Sequence, residues 1–384
     1  MIPYSKQNIS NEDIKYVTKV LKSKFLTQGN EIKKFEKKIN KFTGSKYSVA
    51  LSSASAALHL SCLALNLNKK KILWTVPNTF VASATCGLHC GAKIDFVDID
   101  EETNNICIKK LEKKLRLSKK KKSLPNILIP VHFGGQPTDQ KEIHSLSKKY
   151  GFDIIEDASH SLGSKHLGEK VGSCKWSDVT VFSFHPVKPI TTAEGGIVTT
   201  NNKIVYDKLI ELRNLGISRD YKKMRIKSKW YYELKSLGFN YRMNEIQAAL
   251  GLSQLKNIIK FNKFRNKIAK IYFKELKNTS LILPKIKKNN YSSFHLFVVK
   301  FKESKMKKSY DQIYKQLIKK KIGVNLHYLP VHLHPFFKKF GFKKGNFPVS
   351  ERHSRTALSI PMFYKIKKNE LSRVIKILKK MFKN

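Results

Sequence analysis

Residues 183–196 read Ser-Phe-His-Pro-Val-Lys-Pro-Ile-Thr-Thr-Ala-Glu-Gly-Gly and set one lysine, Lys188, between prolines and hydroxyls, just after an apolar run at 179–184. Most other lysines of the chain fall in runs that belong on solvated faces. A lysine that a strand end delivers into a cleft, with Ser183, Thr191 and Thr192 around it, has the setting of a desolvated amine that condenses with a carbonyl as a Schiff base. The competing reading is a strand-end lysine that reaches solvent. The segment by itself leaves both open.

Three further segments bear on the choice. Residues 52–58, Ser-Ser-Ala-Ser-Ala-Ala-Leu, are small enough for close backbone approach, and the helix that follows aims free amides at an anion. Serine-rich loops also cap helices with no further role. Phe80 stands at a strand-to-helix turn, either flat on a ring or packed in the core. Asp157 follows an apolar strand and is positioned to face a ring nitrogen and keep it protonated. His160, three residues on, either reaches the edge of the same ring or is structural. Ser183 offers a hydroxyl to a phosphate. Together the four segments supply a phosphate cradle, a stacking aromatic, a ring-nitrogen partner and an imine-forming amine, which are the requirements of pyridoxal 5'-phosphate.

Such a set has to be held by a sheet. From 47 to about 200, strand patterns (47–51, 72–76, 93–97, 127–131, 153–156, 179–184, 196–200) alternate with helical ones (56–67, 80–89, 140–150). The alternation predicts an α/β fold with a mainly parallel central sheet and helices on both faces. Ligands of such sheets collect at the carboxyl ends of the strands. Ahead of it lie helices at 11–22, with Ser10 as N-cap and Asp13 three residues on in capping-box fashion, and at 31–42. Helical patterns follow at 203–213, 245–274 and 370–384, with a strand at 294–301, and the lysine runs 119–122 and 285–288 predict surface loops. The expected organisation is a large α/β domain, 1–250, and a smaller C-terminal α+β domain, 251–384.

Composition narrows the function classes. The chain has 384 residues, 41% of them hydrophobic, and a formal charge of +48. The excess is lysine spread from end to end, with few arginines to read bases, so it reads as a compositional bias and no nucleic-acid partner is expected. A positive field still helps to collect an anionic substrate. No apolar run is long enough to span a membrane and no signal-peptide core opens the chain, so no membrane partner is expected. Five cysteines in a chain of this size read as reduced thiols of a cytoplasmic protein. Cys86, His89 and Cys90 have metal-like spacing but sit on a predicted helix, where packing is the better account, and no metal is expected.

The order and wording of these segments resemble the DegT/DnrJ/StrS family of nucleotide-sugar aminotransferases, which are fold-type I pyridoxal phosphate enzymes. The resemblance runs nearly the whole chain: Phe-Leu-Thr-Gln-Gly at 25–29, Phe35 and Glu36, Gly44, 53–58, Glu156 and Asp157, 183–196, Gly-Phe-Asn-Tyr-Arg-Met-Asn-Glu-Ile-Gln-Ala-Ala-Leu-Gly at 238–251, and His-Tyr-Leu-Pro-Val-His at 327–332. It implies Lys188 as the lysine that holds the cofactor, Asp157 as the pyridinium partner and Phe80 as the stacking ring. It implies Ala54, Ser55 and Ser183 around the phosphate, and Asn240 reaching that phosphate from a neighbouring subunit, hence a homodimer with shared active sites. His160 would meet the ring's edge. His327 and His332, whose spacing with His334 also looks metal-like, either line the pocket near sugar or cofactor or are structural. The family more often has glycine at Ala54, threonine at Ser55 and glutamine at His160. The wording is nearest to its pseudaminic acid branch, which implies transfer of the amino group of L-glutamate to C4 of a UDP-linked 4-keto-6-deoxy-N-acetylhexose. Perosamine- or bacillosamine-type 4-amination is the alternative within the family, and a basic nucleic-acid-binding scaffold is the alternative from a different class.

Overall fold

Seven strands make the central sheet: β1 (Tyr47–Leu51), β2 (Ile72–Thr75), β3 (Lys93–Phe96), β4 (Ile127–Ile129), β5 (Asp153–Asp157), β6 (Val179–Ser183) and β7 (Gly196–Thr200). The computed structural model describes residues 1–218, 224–228, 230–306 and 308–383. The strands lie in the order β1-β7-β6-β5-β4-β2-β3. All run parallel except β7, which pairs antiparallel with β6 on one side and with β1 on the other. Their burial patterns are near-continuous, as expected of strands covered on both faces.

Helices α1 (Asn11–Leu21) and α2 (Asn30–Thr43) precede the sheet. The Ser10–Asp13 capping box of α1 is formed as the sequence predicts. Between strands run α3 (Ala54–Ala64), α4 (Ala82–His89), α5 (Ile108–Lys120) and α6 (Gln140–Tyr150), followed by α7 (Lys203–Arg213), α8 (Glu245–Leu255) and α9 (Ile258–Leu276). Two expectations are corrected here. Lys119 and Lys120 are the last turn of α5, not a loop: Leu111, Leu115 and Ser118 bury one face at helical spacing while the lysines stay in solvent. The pattern at 245–274 is two helices, because Lys256 and Asn257 form a turn, with the Asn257 N–H on the Gln254 carbonyl.

Beyond α9, β8 (Leu281–Ile282), β9 (Phe297–Phe301) and β10 (Ala357–Ile360) form an antiparallel sheet in the order β8-β9-β10. With it go α10 (Tyr310–Lys319), the short α11 (Pro335–Lys338), α12 (Pro348–Thr356) and α13 (Lys368–Met381). The helix expected at 370–384 is α13, and Asn384 lies outside the described residues. The first half of α9 packs with Phe35 and Phe184 through Ile258 and Phe261, and its second half packs under the small sheet through Ile268, Tyr272 and Leu276. The chain start joins this part, with the Ile2 N–H on the Lys321 carbonyl at 2.9 Å. Among the described residues no helix is long and apolar enough to cross a membrane.

One register positions everything that follows. Leu51 at the end of β1 and Ser183 at the end of β6 both pair with Gly196 at the start of β7. A Cβ on Gly196 would lie 2.5 Å from the amide of Ala54 and the carbonyl carbon of Ser53, so only glycine lets β7 run under the first turn of α3. Gly196→Ala is therefore expected to lose about 1–3 kcal/mol of stability, read as a lowered denaturant midpoint, and to retain, after gel filtration, less of the cofactor that the sequence implies.

Candidate active site

The carboxyl ends of β1, β5 and β6 open onto one cavity of about 640 Å³, and segments 325–328 and Tyr4 close its other side. Ala54, Ser55, Phe80, Asp157, His160, Ser183, Lys188 and His327, eight of the ten residues singled out from sequence, line it. The first turn of α3 faces it with backbone amides: Ser53 caps the amide of Ala56, and those of Ala54 and Ser55 have no intrahelical acceptor.

Lys188 lies in the loop between β6 and β7. That loop is tied at its base by the Phe184 N–H on the Gly195 carbonyl and the Thr192 N–H on the Phe184 carbonyl, both 2.9 Å. The threonine hydroxyls expected beside the amine hold this loop instead: Thr191 donates to the Phe184 carbonyl at 3.0 Å and Thr192 to the Glu194 carbonyl at 2.6 Å. The Lys188 amine has no ion pair within 4 Å among the described residues. Burial pushes its pKa down to about 8, against the pull of the Asp157 carboxylate.

Asp157 ends β5. Ser83 donates to its Oδ2 at 2.6 Å, and the Ser159 hydroxyl and amide donate to Oδ1 at 2.6 and 3.1 Å. Strand alternation sends the preceding Glu156 to the other face, where Thr180 Oγ1 donates to it at 2.8 Å and Gln140 and His132 surround it. Phe80 is 58% exposed and its ring centroid is 6.4 Å from that of Tyr328, so it borders the cavity and is no core residue. His327 is buried with its Nδ1 2.7 Å from the Ser359 hydroxyl. Burial first, then the charge of Lys188 and the neighbouring His353, push it down to about 3.

Two of the ten lie elsewhere. His332 is fully buried away from the cavity, with Nε2 3.0 Å from Glu351, whose carboxylate also accepts the amides of Gly345 and Phe347. For His332 the expected substrate contact gives way to the structural alternative: the residue braces the 345–351 turn. Asn240 is exposed on the chain's own surface, in a bridge with Asn214, next to Tyr241, whose carbonyl accepts the Ser52 amide. Sequence reasoning missed Tyr4, Ser83, Ser159, His295 and Tyr328. Only Tyr328, inside the His-Tyr-Leu-Pro run, carried a signal; the two serines look like any residue of a helix or turn.

An amine without an ion partner, a carboxylate locked by three hydrogen bonds and a helix N-terminus with free amides around one cavity fit an aldehyde, a ring nitrogen and a phosphate, the three groups of pyridoxal phosphate. Fold and site thus define a fold-type I pyridoxal phosphate enzyme. The chain belongs to the DegT/DnrJ/EryC1/StrS aminotransferase family, whose profile matches residues 7–379. It is 42% identical over 341 residues to the UDP-4-amino-4,6-dideoxy-N-acetyl-β-L-altrosamine transaminase of Campylobacter jejuni, covering 88% of this chain and 86% of that one. Among solved structures it resembles PseC of Helicobacter pylori, an aminotransferase of pseudaminic acid biosynthesis, with a TM-score of 0.89, 30% identity and 99% of each chain covered. The PLP form of the sugar aminotransferase Spr1654 of Streptococcus pneumoniae matches with a TM-score of 0.88 at 26% identity, covering 99% of this chain and 98% of that one. The protein is a sugar aminotransferase of this family, and its cofactor is pyridoxal phosphate.

Two outcomes follow from the geometry. In cofactor-free protein, labelling of Lys188 by a small aldehyde and borohydride rises with pH through a midpoint near 8, as burial lowers that amine's pKa. Surface lysines respond about two units higher, and peptide mass spectrometry separates the two. His332→Ala lowers the denaturant midpoint by the equivalent of about 1–3 kcal/mol and leaves the KM for keto-sugar unchanged; a raised KM at unchanged stability would return His332 to the substrate site.

Proposed function

We propose that this chain transfers the amino group of L-glutamate to C4 of a UDP-linked 4-keto-6-deoxy-N-acetylhexose, UDP-2-acetamido-2,6-dideoxy-β-L-arabino-hex-4-ulose, on a route to pseudaminic acid. The observation that carries the reading is the placement of the Lys188 amine in one cavity with Asp157 and the first turn of α3, where burial pushes its pKa down to about 8. The Campylobacter and Helicobacter relatives support the sugar. Bound here, pyridoxal phosphate supplies an aldehyde that receives the amino group and a protonated ring that draws electrons from the reacting carbon.

In this reading Asp157 keeps the ring nitrogen protonated, its own two oxygens fixed by Ser83 and Ser159. Phe80 covers the ring, and Ala54, Ser55 and Ser183 hold the phosphate. His160 stands beside the ring's edge, with its two nitrogens held by Gly134 and Tyr328, and His327 lines the sugar's side. Lys188 Nζ carries the proton taken from, or returned to, the sugar's C4, for which an amine with a pKa near 8 is suited at neutral pH. Asn240 serves the phosphate of a second copy's site, so the working unit is a homodimer with shared sites; its exposure outside its own cavity supports this. The division into a cofactor-binding part, 1–250, and a smaller part, 251–384, is proposed on the same footing, with α9 joining the two cores. The cytoplasm is the proposed compartment, supported by five free thiols, two of which, Cys62 and Cys86, lie 3.8 Å apart without a disulfide between them.

The test gives purified protein pyridoxal phosphate, glutamate and UDP-N-acetyl-4-keto-6-deoxyhexoses of the L-arabino and D-xylo series, with products read by mass and proton NMR. Amination of the L-arabino sugar is expected, and Lys188→Ala is expected to abolish it while leaving the oligomer intact. Preference for the D-xylo isomer would move the protein to a bacillosamine-type reaction, and turnover by Lys188→Ala would remove the assignment of the amine.

A further inference from the structure

His160 borders the cavity, yet both its ring nitrogens are committed to the protein. The Gly134 amide donates to Nδ1 at 3.2 Å, from a glycine at φ 63°, in the left-handed region. Nε2 lies 3.2 Å from the Tyr328 hydroxyl. An amide N–H can only donate, so Nδ1 is the accepting nitrogen and a neutral imidazole carries its proton on Nε2. The ring is neutral: burial first, then the charges of Lys188 and His327, hold its pKa well below the usual histidine value. Nε2–H therefore donates to the Tyr328 oxygen, and the phenol's own proton is left to find another acceptor.

Among the described residues, the Tyr328 hydroxyl has no hydrogen-bond partner besides His160. Its backbone is pinned by the Tyr328 amide on Asn78 Oδ1 at 3.0 Å, its ring lies within 23° of the His160 plane, and it lines the cavity with Lys188 and Asp157. Resting on the transaminase reading, we propose that Tyr328 donates a hydrogen bond to an electron-rich oxygen of the molecules bound in this cavity, and that His160 acts through it, as the positioning residue that fixes the direction of the phenol proton. The acceptor is either the ring oxygen of the cofactor or an oxygen of the sugar; the chemistry of recognition is the same.

The experiment uses the holoenzyme and Tyr328→Phe. If the acceptor is on the cofactor, the pH midpoint of the Lys188-bound chromophore, followed by visible absorption without sugar, rises by about one unit, because the ring oxygen loses the donor that shared its negative charge. If the acceptor is on the sugar, that midpoint stays and kcat/KM for the keto-sugar falls about tenfold while the half-reaction with glutamate keeps its rate. His160→Leu, which frees the phenol, is expected to reproduce whichever effect appears, and His160→Gln, which restores a side-chain donor, to reverse it. A Tyr328→Phe enzyme that holds its chromophore and equals the unmodified protein in both measurements overturns the proposal. An unmodified protein that forms no chromophore at all would instead remove the transaminase reading beneath it.

Discussion

The cavity depends on a backbone-to-backbone contact, the run of Gly196 beneath Ser53 and Ala54. Because β7 enters the sheet antiparallel between β1 and β6, its first residue sits level with the last residues of both neighbours. That brings the turn into α3, the Ser183 hydroxyl and the Lys188 loop to one edge. A side chain at 196 would push α3 away, and its free amides would no longer face the amine.

Around that edge the polar groups are fixed by short, local ties. Thr191 and Thr192 use their hydroxyls on the carbonyls of Phe184 and Glu194, which shapes the loop and leaves the Lys188 amine without competitors. Asp157 is held on both oxygens, so its charge is oriented before any ring arrives. The depressed pKa of Lys188 comes from burial against this carboxylate's opposing pull, which means that packing decides the state of the amine.

The smaller part of the chain completes the site from the other side. Asn78, at the end of the second strand's loop, accepts the Tyr328 amide, and the Val331 amide bonds the Pro77 carbonyl at 2.8 Å. These bonds fasten 327–331 to the large sheet. The same segment is braced from behind by His353, which bridges the His327 carbonyl at 2.8 Å and Asn104 at 3.1 Å, and by the His332–Glu351 pair. Tyr4 arrives because the chain start is stitched to the Ile322 turn, with the Gly323 amide on the Ile2 carbonyl at 2.7 Å.

By itself the sequence determined the alternation of strands and helices, the parallel sheet, and the segments that carry Lys188, Asp157, Phe80 and the α3 turn, because each is a local pattern: period, cap, or a strand end followed by small or polar residues. It misread 119–120, where helical burial of Leu111 and Leu115 outweighed a run of charge, and 245–274, where one turn at Lys256 and Asn257 divides a continuous pattern. What only the tertiary structure decided is which polar groups meet. Ser83 and Asp157 are 74 residues apart, and Tyr328 and His160 are 168 apart. His332, five residues from a cavity histidine, faces the other way. Contacts between distant segments follow from strand order and from how the small sheet docks, and no local spacing encodes either.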